Sequence, residues 1–288
     1  MARDLPPGRE ILSPLMAANS AALVYGPAGV GKTFFALGLA WAAASGGSFL
    51  GWRAPKRHRV LFVDGELGAV AMRERLALFG PSPPTLELML PDPDEPPLDL
   101  ARIDDQYRLM ESWGDPELVV LHTVSSLAAL PRCNSAALDN FQQFVLHQRQ
   151  SGRAVLLVDK AVAKGPVRAI LNRAVLDLAI ALRPPRGWRA ADGAHFEIHF
   201  DSAPRLAGAF AEPVLVELLA PRPDGTADWR WETVAGDRLE AAVRLLKRGL
   251  SAEAMGEALA LSRSQAFRLQ SQARQRGLIP LRREGERR

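Results

Sequence analysis

The sequence predicts an α/β fold, in which helices flank a mostly parallel sheet, followed by a small all-helical unit. Two patterns predict it: short aliphatic runs alternate with helical stretches up to residue 182, and helical periodicity returns after residue 236. The 288 residues are 48% hydrophobic and 24% charged, as in soluble globular proteins. This composition excludes collagen-like, coiled-coil and disordered chains.

The first elements are four aliphatic runs that read as strands buried on both faces. They are residues 21–25, 60–64, 118–121 and 154–158. Helical patterns occupy the intervals, at residues 33–44, 69–79, 103–113 and 138–150. Because strands alternate with helices, the strands are expected to lie parallel in one sheet.

Prolines and period-two patterns mark the elements that differ from this alternation. Residues 81–97 contain seven prolines and predict a loop with one short strand at 86–90. After Leu182, apolar and polar residues alternate at 194–201, 214–218 and 228–234, which predicts antiparallel strands at the sheet edge. Residues 1–236 are therefore expected to form one domain.

The C-terminal segment predicts three helices, at residues 238–248, 252–259 and 263–276, with Ser251 and Ser262 as N-caps. Apolar residues expected to form its small core are Val243, Leu246, Met255, Leu259, Phe267 and Leu269. The module spans residues 237–280, and the basic residues 281–288 are expected to be disordered.

Charge separates this C-terminal segment from the rest of the chain. Residues 237–288 hold 12 Lys or Arg against 6 Asp or Glu, whereas the remainder is slightly acidic. A basic segment favours an anionic partner, with nucleic acid as the first candidate and a solvated surface as the alternative.

Cellular location is predicted from three absences. No export signal is visible at the N-terminus, and the single cysteine, Cys133, cannot close an intrachain disulfide. The uncharged run 33–52 is interrupted by Ser and Gly, so a buried helix that ends in a glycine turn fits better than a membrane span. We therefore expect a cytoplasmic protein without a membrane partner.

A phosphate-binding loop is the clearest chemical motif of the chain. It fits the pattern G-x-x-x-x-G-K-[ST] between a predicted strand and a predicted helix, with the residues Gly26, Pro27, Ala28, Gly29, Val30, Gly31, Lys32 and Thr33. Its backbone N–H groups would surround the phosphates of ATP, Lys32 would reach the β- and γ-phosphates, and the Thr33 hydroxyl would bind Mg²⁺.

Hydrolysis needs carboxylates near this loop, one for the metal and one to orient water. Asp64 and Glu66 follow the strand 60–64 and are expected at its carboxyl end, where ligands of α/β sheets bind. Asp64 is a candidate metal ligand, and Glu66 is the candidate for positioning water.

With the phosphate loop, VDGE at 63–66, LVVLHTVSSL at 118–127 and GRAVLLV at 152–158, the chain resembles the RecA-like ATPases of the plasmid replicative helicase RepA type. The likeness extends over about residues 15–220. It implies a RecA-like core, ATP and Mg²⁺ as cofactors, activation of water by Glu66, and a homo-oligomer such as a hexameric ring. It also implies a role in DNA replication or maintenance of a plasmid or other mobile element.

One departure from that family bears on hydrolysis. The strand that ends in Asp in the family ends here in His122, and imidazole is a poor ligand for Mg²⁺. Either hydrolysis is impaired and the protein is a nucleotide-dependent switch, or a neighbouring carboxylate compensates. Asp159, which follows four aliphatic residues, and Asp64 are the candidates for compensation.

The C-terminal helices resemble a helix-turn-helix module. The resemblance implies that Arg263, Ser264, Gln265 and Arg268, at the start of the last helix, face DNA. A helical docking unit for another protein is the alternative.

Three function classes follow from these motifs. The first is a DNA-dependent ATPase or helicase that uses Lys32, Glu66 and Asp159, and the second is an ATP-sensing DNA-binding regulator or loader without turnover. A small-molecule kinase is the third, although no lid or acceptor site is recognisable and a basic helical unit has no role in it.

Overall fold

The computed structural model describes residues 9–112, 114–128, 135–160, 175–259 and 261–280. Cys133 and the basic tail 281–288 lie outside these ranges. The chain forms two compact units: a core unit of Met1–Ala211 with Val216–Trp231, and a C-terminal unit of Glu212–Leu215 with Glu232–Arg288.

A nine-stranded sheet organises the core unit, in the order β13-β12-β11-β10-β3-β9-β8-β6-β7. Its strands are β3 (Ala21–Gly26), β6 (Val60–Asp64), β7 (Leu86–Met89), β8 (Leu118–His122), β9 (Ala154–Lys160), β10 (Leu178–Arg183), β11 (His195–Ser202), β12 (Val214–Leu218) and β13 (Trp229–Thr233). The six strands from β10 to β7 are parallel, and β11 pairs antiparallel with β10. The predicted mostly parallel sheet with an antiparallel edge is confirmed.

Helices cover the parallel strands because the strands are aliphatic on both faces. They are α1 (Lys32–Ser45), α2 (Ala69–Ala77), α3 (Ile103–Ser112), α4 (Val124–Leu127) and α5 (Ser135–Gln150). Leu109 of α3, Val124 of α4 and Phe141 of α5 pack with one set of alternating strand residues. Helix α1 packs against strands β3, β6, β8 and β9.

Two small hairpins of the core unit were not predicted from the sequence. One pairs β1 (Glu10–Leu12) with β2 (Met16–Ala17), and the other pairs β4 (Ser48–Phe49) with β5 (Trp52–Arg53). The second hairpin takes up the end of the uncharged run, after α1 has ended at Gly46 with φ +69°. Across the described ranges no helix combines the length and apolarity of a membrane span.

The described residues of the C-terminal unit form three helices: α6 (Val234–Lys247), α7 (Ala252–Ala258) and α8 (Arg263–Gln275). Met255 and Ala266 are fully buried between them, and a Cβ on Gly256 would lie 2.8 Å from the Cβ of Ala266. The prediction that Phe267 belongs to this core is wrong, because its side chain is 41% exposed and lies under the guanidinium of Arg263.

Candidate nucleotide-binding site

The phosphate loop connects the end of β3 to the start of α1. Gly31 precedes the helix with φ +109°, and a Cβ at this position would lie 2.9 Å from the ring of Phe196. Only glycine combines this backbone conformation with so close a neighbour. The helix has no side-chain cap, so its first N–H groups remain available to an anion.

A cleft of about 380 Å³ opens beside this loop. Residues from three other elements line it: Glu66 and Arg75 around α2, His122 and Thr123 at the end of β8, and Lys160 at the end of β9. These are carboxyl ends of adjacent parallel strands, where ligands of α/β sheets bind. The structure thus brings Lys32, Thr33 and Glu66 together in one cleft.

The side chain of Lys32 is held inside the phosphate loop. Its Nζ donates hydrogen bonds to the carbonyl oxygens of Gly26 at 2.9 Å and Pro27 at 2.8 Å. Burial lowers the pKa of the amine, while the carboxylates of Asp159 and Glu66 oppose that shift. The ammonium group is therefore fixed at the centre of the loop, in position to meet a phosphate.

Thr33, His122 and Asp64 form a hydrogen-bonded chain across α1, β8 and β6. Thr33 Oγ1 lies 3.0 Å from His122 Nε2, and His122 Nδ1 lies 2.8 Å from Asp64 Oδ1. The His122 side chain is 3% exposed and that of Asp64 is completely buried. Strands β6 and β8 are neighbours with Asp64 opposite His122, so the register itself places the two side chains together.

Asp64, the candidate metal ligand, is not among the residues that line this cleft. Its carboxylate lies behind His122, and it also accepts the backbone N–H groups of Glu66 and Leu67. Toward the cleft, the Thr33 hydroxyl is paired with an imidazole nitrogen of His122 and not with a carboxylate, whereas Mg²⁺ prefers oxygen ligands. Nor do the described residues contain any cluster of three or more His, Cys, Asp or Glu side chains suited to a metal.

Glu66 lies at the cleft, held by two hydrogen bonds. Lys160 Nζ donates to its Oε1 at 2.6 Å, and Thr123 Oγ1 donates to its Oε2 at 3.3 Å. The bond from Lys160 is the main reason why the pKa of Glu66 is lowered. A carboxylate that stays ionised here can accept a hydrogen bond from a water molecule and orient it.

Asp159 does not line the cleft. Its carboxylate is buried at the end of β9, where Oδ1 accepts hydrogen bonds at 2.8 Å from Ser125 Oγ and from the backbone N–H of Lys160. Burial raises its pKa, and Oδ2 has no hydrogen-bond partner within the part of the chain that the structure describes. The carboxylate and the amine of Lys32 influence each other's pKa, so the structure places Asp159 near Lys32.

Arg75 of α2 is a cleft residue that the sequence analysis missed. Its guanidinium lies 5.7 Å above the ring of Phe34, and Nη1 is buried without a hydrogen-bond partner among the described residues. An unpaired donor beside the phosphate loop suits an anionic ligand. No sequence signal distinguishes Arg75 from Arg73, which lies two positions earlier in the same helix.

The residues predicted to face DNA all belong to the C-terminal unit. Arg263, Ser264, Gln265 and Arg268 are exposed at the start of α8. Gln265 is engaged locally, since its side chain accepts the backbone N–H of Ser262 at 3.0 Å in a capping box. Of the two arginines, Arg263 lies 3.8 Å from Glu253. Arg268 has no ion pair within the described residues.

Comparisons with known proteins identify the family and the fold of this chain. Residues 2–161, more than half of the chain, match the AAA domain family. Among solved structures, the flagellar accessory protein FlaH from Methanocaldococcus jannaschii has a TM-score of 0.52 at 13% identity, covering 70% of this chain and 86% of FlaH. That identity shows a shared fold alone, and a comparison with curated proteins gives no match. The chain belongs to the AAA domain family and has the RecA-like core of an ATP-binding P-loop ATPase.

Proposed function

We propose that this protein is a DNA-binding ATPase, in which the core unit binds and hydrolyses ATP and the C-terminal unit binds DNA. The observation that carries the proposal is the common cleft of Lys32, Thr33 and Glu66. The RepA-type resemblance adds a role in replication or maintenance of a plasmid or mobile element, and a ring of several subunits.

Phosphate binding in this proposal uses groups that are already oriented. The free N–H groups at the start of α1 would donate to the phosphate oxygens. Lys32 would exchange its bonds to the Gly26 and Pro27 carbonyls for bonds to the β- and γ-phosphates. Glu66, ionised and at the cleft, would orient the attacking water, and Arg75 would balance charge on the outer phosphate.

DNA binding is supported by the composition and shape of the C-terminal unit. Three short helices pack on Met255 and Ala266, and the first turns of α8 present Arg263 and Arg268 to solvent. In a helix-turn-helix the start of the last helix contacts base edges, and flanking basic side chains contact phosphates. The side chain of Gln265 is engaged in the capping box, so the two arginines are the principal candidates.

A second candidate function is an ATP-dependent DNA-binding regulator without turnover. The observation that favours it is the replacement of a carboxylate by His122, with Asp64 enclosed behind the imidazole. In this case nucleotide would bind through Lys32 and Thr33, and hydrolysis would be slow.

Turnover of ATP by the purified protein separates the two candidates. We would measure phosphate release in MgCl₂ and in MnCl₂, alone and with single- or double-stranded DNA, and in parallel titrate a non-hydrolysable ATP analogue. Release that DNA stimulates, and that both Lys32→Ala and Glu66→Gln abolish, supports the ATPase.

The remaining results are equally decisive. Tight analogue binding with no release under any condition supports the regulator. Analogue binding that survives Lys32→Ala would contradict the assignment of the phosphate loop and both candidates with it. His122→Asp tests the cause of low turnover, because the restored carboxylate should raise the rate in MgCl₂ if His122 alone limits it.

A further inference from the structure

We propose that the nucleotide site of this protein takes a first-row transition-metal ion, such as Mn²⁺ or Co²⁺, in preference to Mg²⁺. The ligands from the chain are the hydroxyl of Thr33 and Nε2 of His122. The inference rests on the nucleotide binding proposed above, and it concerns which ion accompanies the nucleotide.

The hydrogen bonds around His122 fix which ring nitrogen carries the hydrogen. The Asp64 carboxylate accepts hydrogen bonds from the backbone N–H groups of Glu66 at 3.3 Å and Leu67 at 2.8 Å. Its Oδ1 lies 2.8 Å from His122 Nδ1. The carboxylate is an acceptor, so Nδ1 is the donor, and in the neutral imidazole Nε2 presents its lone pair. That lone pair points to Thr33 Oγ1 and not into the apolar interior.

A buried carboxylate behind an imidazole is the arrangement that supports metal-binding histidines. The second hydrogen bond orients the ring, selects the tautomer and increases the basicity of the free nitrogen. Asp64 is completely buried and its other contacts are backbone N–H groups, so it is committed to this supporting role.

The distance between the two donors suits neighbouring positions on one metal ion. Metal–ligand bonds of about 2.1 Å at a right angle place two donor atoms about 3.0 Å apart. Thr33 Oγ1 and His122 Nε2 are 3.0 Å apart, and both residues line the cleft beside the phosphate loop.

The chemistry of the donors then selects the ion. Mg²⁺ prefers oxygen ligands and water, whereas affinity for imidazole rises along the series from Mn²⁺ to Co²⁺ and Ni²⁺. A site with one oxygen and one nitrogen donor is therefore expected to favour the transition metals. A site with an aspartate in place of His122 would favour Mg²⁺.

The first test measures nucleotide affinity, independently of turnover. A fluorescent non-hydrolysable ATP analogue is titrated into the full chain in MgCl₂, MnCl₂ or CoCl₂. The wild type should bind about tenfold more tightly with Co²⁺ than with Mg²⁺, with Mn²⁺ between them. His122→Asp should remove or reverse this ratio, and His147→Asp, at an exposed histidine of α5, should leave it unchanged.

The second test observes the ligand directly in the wild-type protein. Pulsed EPR of Mn²⁺ with the unlabelled analogue and ¹⁵N-labelled protein should show a ¹⁵N coupling, which comes only from a protein nitrogen. The coupling should persist in His147→Asp and vanish in His122→Asp.

Equal affinities in all three metals, or no ¹⁵N coupling, would overturn the metal assignment while leaving the nucleotide site intact. Absence of analogue binding in every metal would instead contradict the proposed function itself.

Discussion

Burial shifts the pKa of three ionisable side chains in the core unit toward their uncharged forms. It lowers the pKa of Lys32 and of His58, and it raises the pKa of Asp159. Two of the three residues belong to the phosphate loop or lie near it, as expected where a fold holds charged groups ready for a ligand. An anionic ligand would favour the charged form of Lys32 and so oppose the lowering of its pKa by burial.

His58 lies outside the site, and its burial predicts how the stability of the fold depends on pH. The side chain is completely buried, and its Nδ1 is 3.3 Å from Glu117 Oε1. Its pKa in the folded chain is below the ordinary 6.5, so the unfolded chain binds the proton first as pH falls. The free energy of unfolding should therefore decrease as pH drops below about 6.5, by at most about 1.4 kcal/mol per pH unit for this group.

Urea unfolding at pH 7 and at pH 5.5 measures this decrease. His58→Gln should reduce the difference between the two pH values, while His147→Gln, at an exposed site, serves as the control. An unchanged difference in His58→Gln would mean that other groups cause the acid sensitivity.

Helix N-termini are used in two ways in this chain. Helix α1 starts from Gly31 with no side-chain cap, which leaves its N–H groups to a ligand. Helices α7 and α8 start from Ser251 and Ser262, whose side chains accept backbone N–H groups within the helix. The N-terminus of α8 is thus satisfied internally, and contacts with DNA would have to come from exposed side chains.

The capping box of α8 predicts how a single substitution changes the stability of this helix. Ser262→Ala removes the side-chain acceptor for the N–H of Gln265 and should cost about 1 kcal/mol of helix stability. Hydrogen exchange of the amides in α8 measures this cost locally in the full chain. Ser264→Ala is the matched control, since the one contact of its hydroxyl among the described residues is with Ser262 Oγ. Equal losses in the two variants would contradict the capping role.

How much of the molecule the sequence predicts depends on how local each feature is. The phosphate loop, the strand before it and the helix after it were predicted because their pattern is contained in consecutive residues. The contact between His122 and Asp64 was not, because it needs β6 and β8 to be neighbours in one register, and 58 positions separate the residues. Phe267 was misplaced for a related reason: helical spacing alone does not fix which face of a short helix packs inward.

The two units, each with its own buried residues, predict that nucleotide and DNA binding can be separated by mutation. Lys32→Ala should abolish binding of the ATP analogue and leave DNA affinity within about twofold in the absence of nucleotide. Arg268→Ala should weaken DNA binding and reduce the salt dependence of log K by about 1, because one phosphate contact is lost.

Arg222→Ala, which removes an exposed arginine from the core unit, controls for net charge. It should leave both affinities nearly unchanged. If Arg222→Ala reduces the salt dependence as much as Arg268→Ala does, DNA is attracted by general charge and not by α8. If neither arginine matters and DNA still binds, the interface lies elsewhere in the chain and the helix-turn-helix assignment is wrong.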